Sequence, residues 1–334
     1  MSKRLQSHDS VRYGLGCVCL TVWALLSSGF LVEAQPRPFR IGVLTSGLAF
    51  NKALVGLREE LAQLGYTHGK NLTLLVEDAQ GATEQLGGLA TKLLAASPDL
   101  IFTTGTAATT AAKRAITTLP IVFVFVADPV RASLVASHVS SGNNLTGISN
   151  HAGALSGKRL EYLQEIYPEA KRVLVLVMPG EHVSLLSFDV IATVAPKLGM
   201  TLVRREVSSR EEIAQVLTTL PAGSVDAIFY VPSGLIGPHI ALLLEKAREA
   251  RIPLVGHEDS IVEQGALMSY GADFRLLGKQ AARLAVKIMQ GAKPSDIPIQ
   301  TPERLSLAIN LTTAHTLGLK IPRHVLETAD LLIE

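Results

Sequence analysis

From residue 40 onward, short β-branched runs alternate with stretches whose apolar positions recur every three or four residues, the pattern of βαβ units around parallel sheets. Residues 40–45 read as a first strand, and Leu54, Leu57, Leu61 and Leu64 mark the apolar face of a helix ending at Gly65. A strand over 71–77 precedes a helix with Leu86, Leu89, Ala90, Leu93 and Leu94 on one face, stopped by Pro98. Strands follow over 100–104 and 121–126, the second almost wholly apolar as a strand buried on both faces should be, and 144–148 closes this half. The alternation then restarts: a helix through Leu160 and Leu163 to Tyr167, a strand over 172–177, a helix near 184–198 and a strand over 200–207. Ser209 with Glu212 spells a capping box for the next helix.

The halves repeat in order and detail. Asp99-Leu100-Ile101-Phe102 before Gly105 has its counterpart in Asp226-Ala227-Ile228-Phe229 before Ser233-Gly234, and Leu119-Pro120-Ile121-Val122 matches Ile252-Pro253-Leu254-Val255. An amphipathic helix with Leu277, Ala281, Leu284 and Ile288 follows Tyr270-Gly271, then a stretch punctuated by Pro294, Pro298 and Pro302, and a strand over 305–309. The fold expected is α/β, with two similar doubly wound parallel-sheet lobes joined by a hinge. Residues 35–152 plus about 274–300 form the first lobe and 153–273 plus about 301–334 the second, with hinges near 150–156 and 270–274. The length of 334 residues, at roughly 150 per domain, agrees with two lobes.

The N-terminal segment has a different pattern. Lys3, Arg4 and Arg12 precede an uncharged apolar run over 15–26, then Val32-Glu33-Ala34, the layout of a secretory signal cleaved after Ala34. The run is shorter than the ~20 residues a spanning helix needs. Both cysteines, Cys17 and Cys19, lie in it, so the mature chain is expected to contain no disulfide and no thiolate site. Without Lys3, Arg4, Arg12, Asp9 and Glu33 the balance of Lys+Arg to Asp+Glu goes from 31:29 to 28:27. A near-neutral chain lacks the basic field of a nucleic-acid binder, and a cysteine-free exported protein of this size fits a bacterial periplasm.

Candidate chemistry lies where open parallel sheets bind ligands, at the carboxyl ends of strands. Thr104-Gly105-Thr106 follows an apolar strand and opens an Ala-rich helix, so free N–H groups and hydroxyls could hold a carboxylate. The same residues read equally as an ordinary turn with a Thr N-cap. Asp128, before Pro129, could pair with an ammonium, or cap a helix that Pro129 opens. Ser233, Glu258, Asp259 and Tyr270 occupy analogous strand ends in the second half, with core packing the alternative for Tyr270. No Gly-x-Gly-x-x-Gly, phosphate loop or Gly-x-Ser-x-Gly elbow is present, and the nine histidines include no pair four apart on a helix. No catalytic residue, metal or cofactor is expected.

Further motifs carry a resemblance. Leu64-Gly65-Tyr66, Gly69-Lys70-Asn71-Leu72, Thr104-Gly105-Thr106, Asp128-Pro129-Val130, Leu134-Val135-Ala136-Ser137, Gly142-Asn143-Asn144-Leu145-Thr146-Gly147, Lys158-Arg159-Leu160-Glu161, Gly265 to Gly271, Gly291-Ala292-Lys293-Pro294 and Ile309 to Ala314 run collinearly through the chain. Together they resemble the periplasmic substrate-binding components of ABC transporters, in a subgroup similar to tryptophan- and tyrosine-binding members. The resemblance implies a type I periplasmic-binding fold, closing as a monomer on a small solute, such as an amino acid or related carboxylate, and delivering it to an inner-membrane permease. It places Ser46, Thr104, Gly105, Thr106, Asp128 and Pro129 at the solute from the first lobe, and Met178, Ser233, Glu258 and Tyr270 from the second. The 46–51 loop is shorter than is usual in the family, and Met178-Pro179 stands where relatives read Asn-Pro, so solute identity does not transfer. A periplasmic sensor that signals without transport uses the same lobes and stays open as an alternative; an exported α/β enzyme is disfavoured by the missing motifs.

Overall fold

The computed structural model describes residues 37–47 and 50–334. The expected leader with its cleavage point after Ala34, Cys17 and Cys19 lies outside the described residues, as does part of the 46–51 loop.

The first half runs β1 (Phe39–Thr45), α1 (Asn51–Gln63), β2 (Leu72–Asp78), α2 (Leu86–Ala95), β3 (Leu100–Thr104), α3 (Gly105–Ala115), β4 (Ile121–Val126) and β5 (Leu145–Ser149). The second half repeats this as α4 (Ser156–Ile166), β6 (Arg172–Val177), α5 (His182–Val194), β7 (Thr201–Glu206), α6 (Arg210–Thr219), β8 (Ala227–Phe229), α7 (Ile240–Ala250), β9 (Leu254–Gly256), α8 (Asp259–Glu263) and β10 (Met268–Ala272). The tail adds α9 (Phe274–Met289), β11 (Leu305–Asn310), α10 (Leu311–Thr316), α11 (Arg323–Thr328) and β12 (Leu331–Ile333).

The first sheet has the order β2-β1-β3-β4-β5, all parallel, and the second β12-β11-β10-β9-β8-β6-β7. The repeat is therefore topological: β7-β6-β8-β9-β10 reproduces the order of the first sheet, giving each lobe a switch point, between β1 and β3 and between β6 and β8. The second sheet is not wholly parallel as expected, because β11 pairs antiparallel with β10. The tail reaches it from the other lobe, after Gln300 has bridged to Ile148 beside β5, and so approaches from the opposite end.

Alternation along the strands builds the layers. In the first lobe Ile41, Val43, Leu100, Phe102, Val122 and Val124 face one core, closed by α1 and α9. Leu44, Ile101, Ile121 and Phe123 face the opposite core, closed by α2 and α3. A sheet buried on both faces requires such apolar runs. α1 and α9 approach until their backbones touch: a Cβ on Gly56 would sit 1.9 Å from the Arg275 carbonyl oxygen, and one on Gly278 1.9 Å from that of Ala53. The second lobe has a single continuous core around β6, β8 and β9, including Val173 to Val177 and Ala227 to Val231.

The capping box forms in modified geometry: Ser209 Oγ accepts from the Glu212 N–H at 3.2 Å, while Glu212 reaches back to the N–H of Ser208 at 2.7 Å. The helix expected after Pro129 is absent. The Asp128 carboxylate accepts from the Arg131 N–H at 3.0 Å and the Pro129 carbonyl from the Leu134 N–H at 2.9 Å, and Ser133 turns the chain with φ 55°. Lys113 binds the Ser133 and Leu134 carbonyls, fixing a turn where a helix would continue.

Candidate functional site

The two switch points place the carboxyl ends of β1 and β3 and of β6 and β8 at the sites favoured by doubly wound sheets. On the first lobe Thr104 ends β3, and its hydroxyl donates to Thr45 Oγ1 at 2.8 Å, tying the two strand ends together. The Thr103 and Thr109 hydroxyls are 2.8 Å apart, and Thr109 Oγ1 also donates to the Gly105 carbonyl at 2.8 Å. Gly105 turns into α3 with φ 82°, a conformation that costs a side-chain-bearing residue but not glycine. No side chain caps this helix, so its first N–H groups have no side-chain acceptor. Thr106 is exposed there, and Ser46 is half-buried with its hydroxyl 3.9 Å from the position of a Gly105 Cβ.

Phe50, half-buried, has its ring edge 3.3 Å from that same Cβ position. Behind it stand Phe125 and Phe274, with centroids 5.2 and 6.0 Å from Phe50 and 3.9 Å from each other. Phe125 carries φ 60° within a break in the β4–β5 register, an uncommon conformation for a bulky side chain. An aromatic wall backed by two buried rings thus adjoins the uncapped helix terminus.

On the second lobe Glu258, at the start of α8, is 6% exposed, and burial pushes its pKa up to about 7 against the Ser260 hydroxyl bond that lowers it. No cation lies within ion-pairing distance of it among the described residues. Lys52, the nearby cation, bonds instead to Asp259 at 2.9 Å and Glu263 at 2.8 Å, linking the start of α1 to α8 across the lobes. Because Lys52 is two residues beyond Phe50 and Asp259 directly follows Glu258, this pair joins the segments that carry the aromatic wall and the buried carboxylate. A second link joins Arg131 to His182 at 3.3 Å.

The remaining candidates are already engaged by other groups of the protein. Asp128 accepts from the Arg131 backbone and lies 3.6 Å from its side chain; Pro129 is buried beneath that turn. Met178 is half-buried and donates its N–H to Ser184 Oγ at 3.0 Å. Ser233 Oγ accepts from the N–H groups of Leu235 and Ile236, both at 3.2 Å. Tyr270 stacks edge-on to Tyr162 of α4, with ring centroids 5.3 Å apart, the packing alternative for that residue.

Three features lie outside the motifs singled out in the sequence, namely Phe50 with its backing rings, Lys52 and Glu181, and a fourth, Arg159, lies in the Lys158-Arg159-Leu160-Glu161 motif without having been assigned a role. Glu181 accepts from the Gly234 N–H at 2.6 Å, and burial raises its pKa. Arg159 is wholly buried. A visible signal existed for it alone, since it lies on the apolar stripe with Leu160, Leu163 and Ile166. No cluster of three or more His, Cys, Asp or Glu able to hold a metal occurs among the described residues, and no described helix is long and apolar enough to cross a membrane.

Two lobes of like topology, with strand-end loops meeting across linked switch points, define a solute-binding protein of the type I periplasmic-binding fold. Residues 40–333 match the model of the ABC transporter substrate binding protein family, and the chain belongs to that family. The family is one of solute-binding rather than catalytic proteins, found in the periplasm or outside the cell. A tyrosine-binding protein of Clostridioides difficile is 29% identical over 280 residues, covering 84% of this chain and 80% of that one. The structure of an ABC domain in complex with L-Trp from Streptococcus pneumoniae aligns with a TM-score of 0.81 at 26% identity, over 89% of this chain and all of the other. The ligand-free, open structure of a substrate-binding protein with adhesive properties from Clostridium difficile aligns with a TM-score of 0.68 at 27% identity, over 88% and 99% of the two chains.

Proposed function

We propose that the protein is the exported solute receptor of an ABC importer, capturing an aromatic L-amino acid between its lobes for an inner-membrane permease. The lobes comprise residues 37–152 with 274–300 and residues 153–273 with 301–334. The observation that carries this reading is Glu258, a buried carboxylate without a cation, held by the Lys52 bridge beside an aromatic wall and an uncapped helix terminus.

The three groups match the three parts of the solute. The start of α3, with Gly105, Thr106 and Ser46, receives the α-carboxylate; a helix terminus favours an anion by up to ~2 kcal/mol when partly buried. Glu258 accepts from the ammonium in place of Asp128, which is occupied by Arg131. Phe50 offers its face to the ring, and the tyrosine- and tryptophan-binding relatives support that assignment. At nearly equal identity and coverage the chain aligns better with the L-Trp complex than with the open structure, which supports a closed disposition of the lobes here.

The test is a thermal-shift screen of ligand-stripped protein against the twenty amino acids, indole, small carboxylates and sugars. L-Trp or L-Tyr at a hundredfold excess over Kd stabilises a single-site receptor by about 2.7 kcal/mol. A shift with indole as large as with L-Trp would remove the roles of Glu258 and the helix terminus, and a shift only with sugars would overturn the proposal.

A further inference from the structure

The lobes connect at three places: between β5 and α4, between β10 and α9, and between Gln300 and β11. Rigid lobes can rotate only if a few residues in such connections absorb the change in backbone angles. Arg159 in the first turn of α4 reaches two of the three. Its Nε donates to the Tyr270 carbonyl at 2.6 Å, and its Nη1 to the Ala152 carbonyl at 2.9 Å and Ser156 Oγ at 3.0 Å.

We infer that Arg159 is the positioning residue of the hinge, holding the second-lobe ends of two connections on one planar group and confining rotation to Asn150 and His151 and to Asp273. The inference rests on the reading of the protein as a receptor whose lobes close.

Three observations support it. Arg159 is 0% exposed and no carboxylate pairs with it among the described residues, so it is not held there by an ion pair. A buried cation bonded mainly to carbonyls is costly, and its planar fork spans two backbone segments with fixed geometry. Burial pulls its pKa down to about 9, leaving it charged at neutral pH. The strained residues also lie just outside its grip: His151, adjoining Ala152, has φ 45°, and Asn150 Oδ1 is buried without a partner. Such backbone and hydrogen-bonding outliers persist only where the surroundings impose them. On the other connection only Gly271, Ala272 and Asp273 separate Tyr270 from α9, and Asp273 Oδ1 caps that helix through the Leu276 N–H at 2.9 Å. The span between fixed points is thus Asn150 and His151 on one connection, after Ser149 of β5, and Asp273 alone on the other, since Gly271 and Ala272 belong to β10 and pair with β11.

Hydrogen exchange of Arg159→Met and Arg159→Lys against the unmodified protein tests the assignment without any solute. The expected result is faster exchange at amides 150–153 and 270–273, with β6, β8 and β9 unchanged, and a smaller effect for Lys, which keeps the charge but lacks the planar fork. Exchange raised throughout the second lobe would reduce Arg159 to an ordinary core residue and overturn the inference, as would no change at the connections. Should the Met variant fail to fold, the Lys variant gives the same readout. In parallel, small-angle scattering with and without L-Trp should show contraction of the unmodified protein and reduced contraction in the variants, with affinity weakened about tenfold. Contraction and affinity equal to the unmodified protein would also overturn it. If the unmodified protein does not contract with L-Trp while the exchange pattern holds, the aromatic-solute reading fails and the hinge assignment stands.

Discussion

Replacing Glu258 by Gln should stabilise the empty protein at neutral pH while damaging solute capture. The folded carboxyl keeps its proton up to about pH 7, whereas the unfolded chain releases it near the ordinary 4.5. Between those values the folded state binds more protons, so the contribution of this group to stability is full at low pH and is lost as pH rises through the window. Each pH unit there changes the balance by about 1.4 kcal/mol, and the whole window by about 3 kcal/mol. Gln has the same shape and no titration. Urea denaturation of both proteins without solute, at intervals from pH 4 to pH 8, gives the difference directly. His257, whose pKa burial and the Arg159 charge lower, acts in the opposite direction on acidification, but it is present in both proteins and cancels. The Gln variant should gain about 3 kcal/mol relative to the native protein between the ends of that range, and bind L-Trp at least tenfold more weakly. A stability difference that does not vary with pH would refute the reasoning, because Glu258 would then titrate normally.

Three more outcomes follow from the same geometry. Phe50→Ala should weaken L-Trp binding about tenfold in calorimetry while changing alanine binding little, since an aromatic contact contributes roughly 0.5–1.5 kcal/mol beyond its buried area; equal losses for both solutes would remove Phe50 from the ring site. Lys52→Met should loosen the closed form, seen as a smaller contraction on adding L-Trp, and raise the solute dissociation rate a few-fold, since partly exposed ion pairs contribute only about 0.2–1 kcal/mol each. Gly278→Ala places a methyl against the Ala53 carbonyl and should cost about 2 kcal/mol or more in denaturation, with binding retained by whatever remains folded.

The strands were readable because parallel sheets impose apolar runs: 100–104, 121–126 and 172–177 coincide with β3, β4 and β6. The direction of β11 was not, because its alternation is compatible with either pairing and the direction depends on where the tail crosses. The Thr104-Gly105 turn was legible from a glycine after an apolar strand, but not that the Thr104 hydroxyl would be consumed by Thr45, 59 residues away. Asp128-Pro129 was compatible with a capped helix, yet Lys113 fixes a turn there from a different element. Phe50, Phe125 and Phe274 are ordinary core phenylalanines in one dimension and become a wall only when α1, β4 and α9 meet. Lys52 and Glu258 acquire meaning only from a contact between lobes. Arg159 is different: a cation on an apolar stripe with Leu160, Leu163 and Ile166 is an anomaly legible in one dimension.

The interleaving of the chain also bears on the order of its assembly. The first lobe's core is closed by α9, which emerges only after every strand of the second lobe up to β10, and the second sheet receives β11 and β12 last. Neither half can bury its apolar surface while the polypeptide is still being elongated, so a nascent chain that ends before residue 289 has no finished unit to lock into. Late, sequence-distant closure of this kind slows folding. A receptor exported unfolded, in keeping with the function proposed above, would gain from that delay, because its unfinished halves would remain pliable until their final residues had passed.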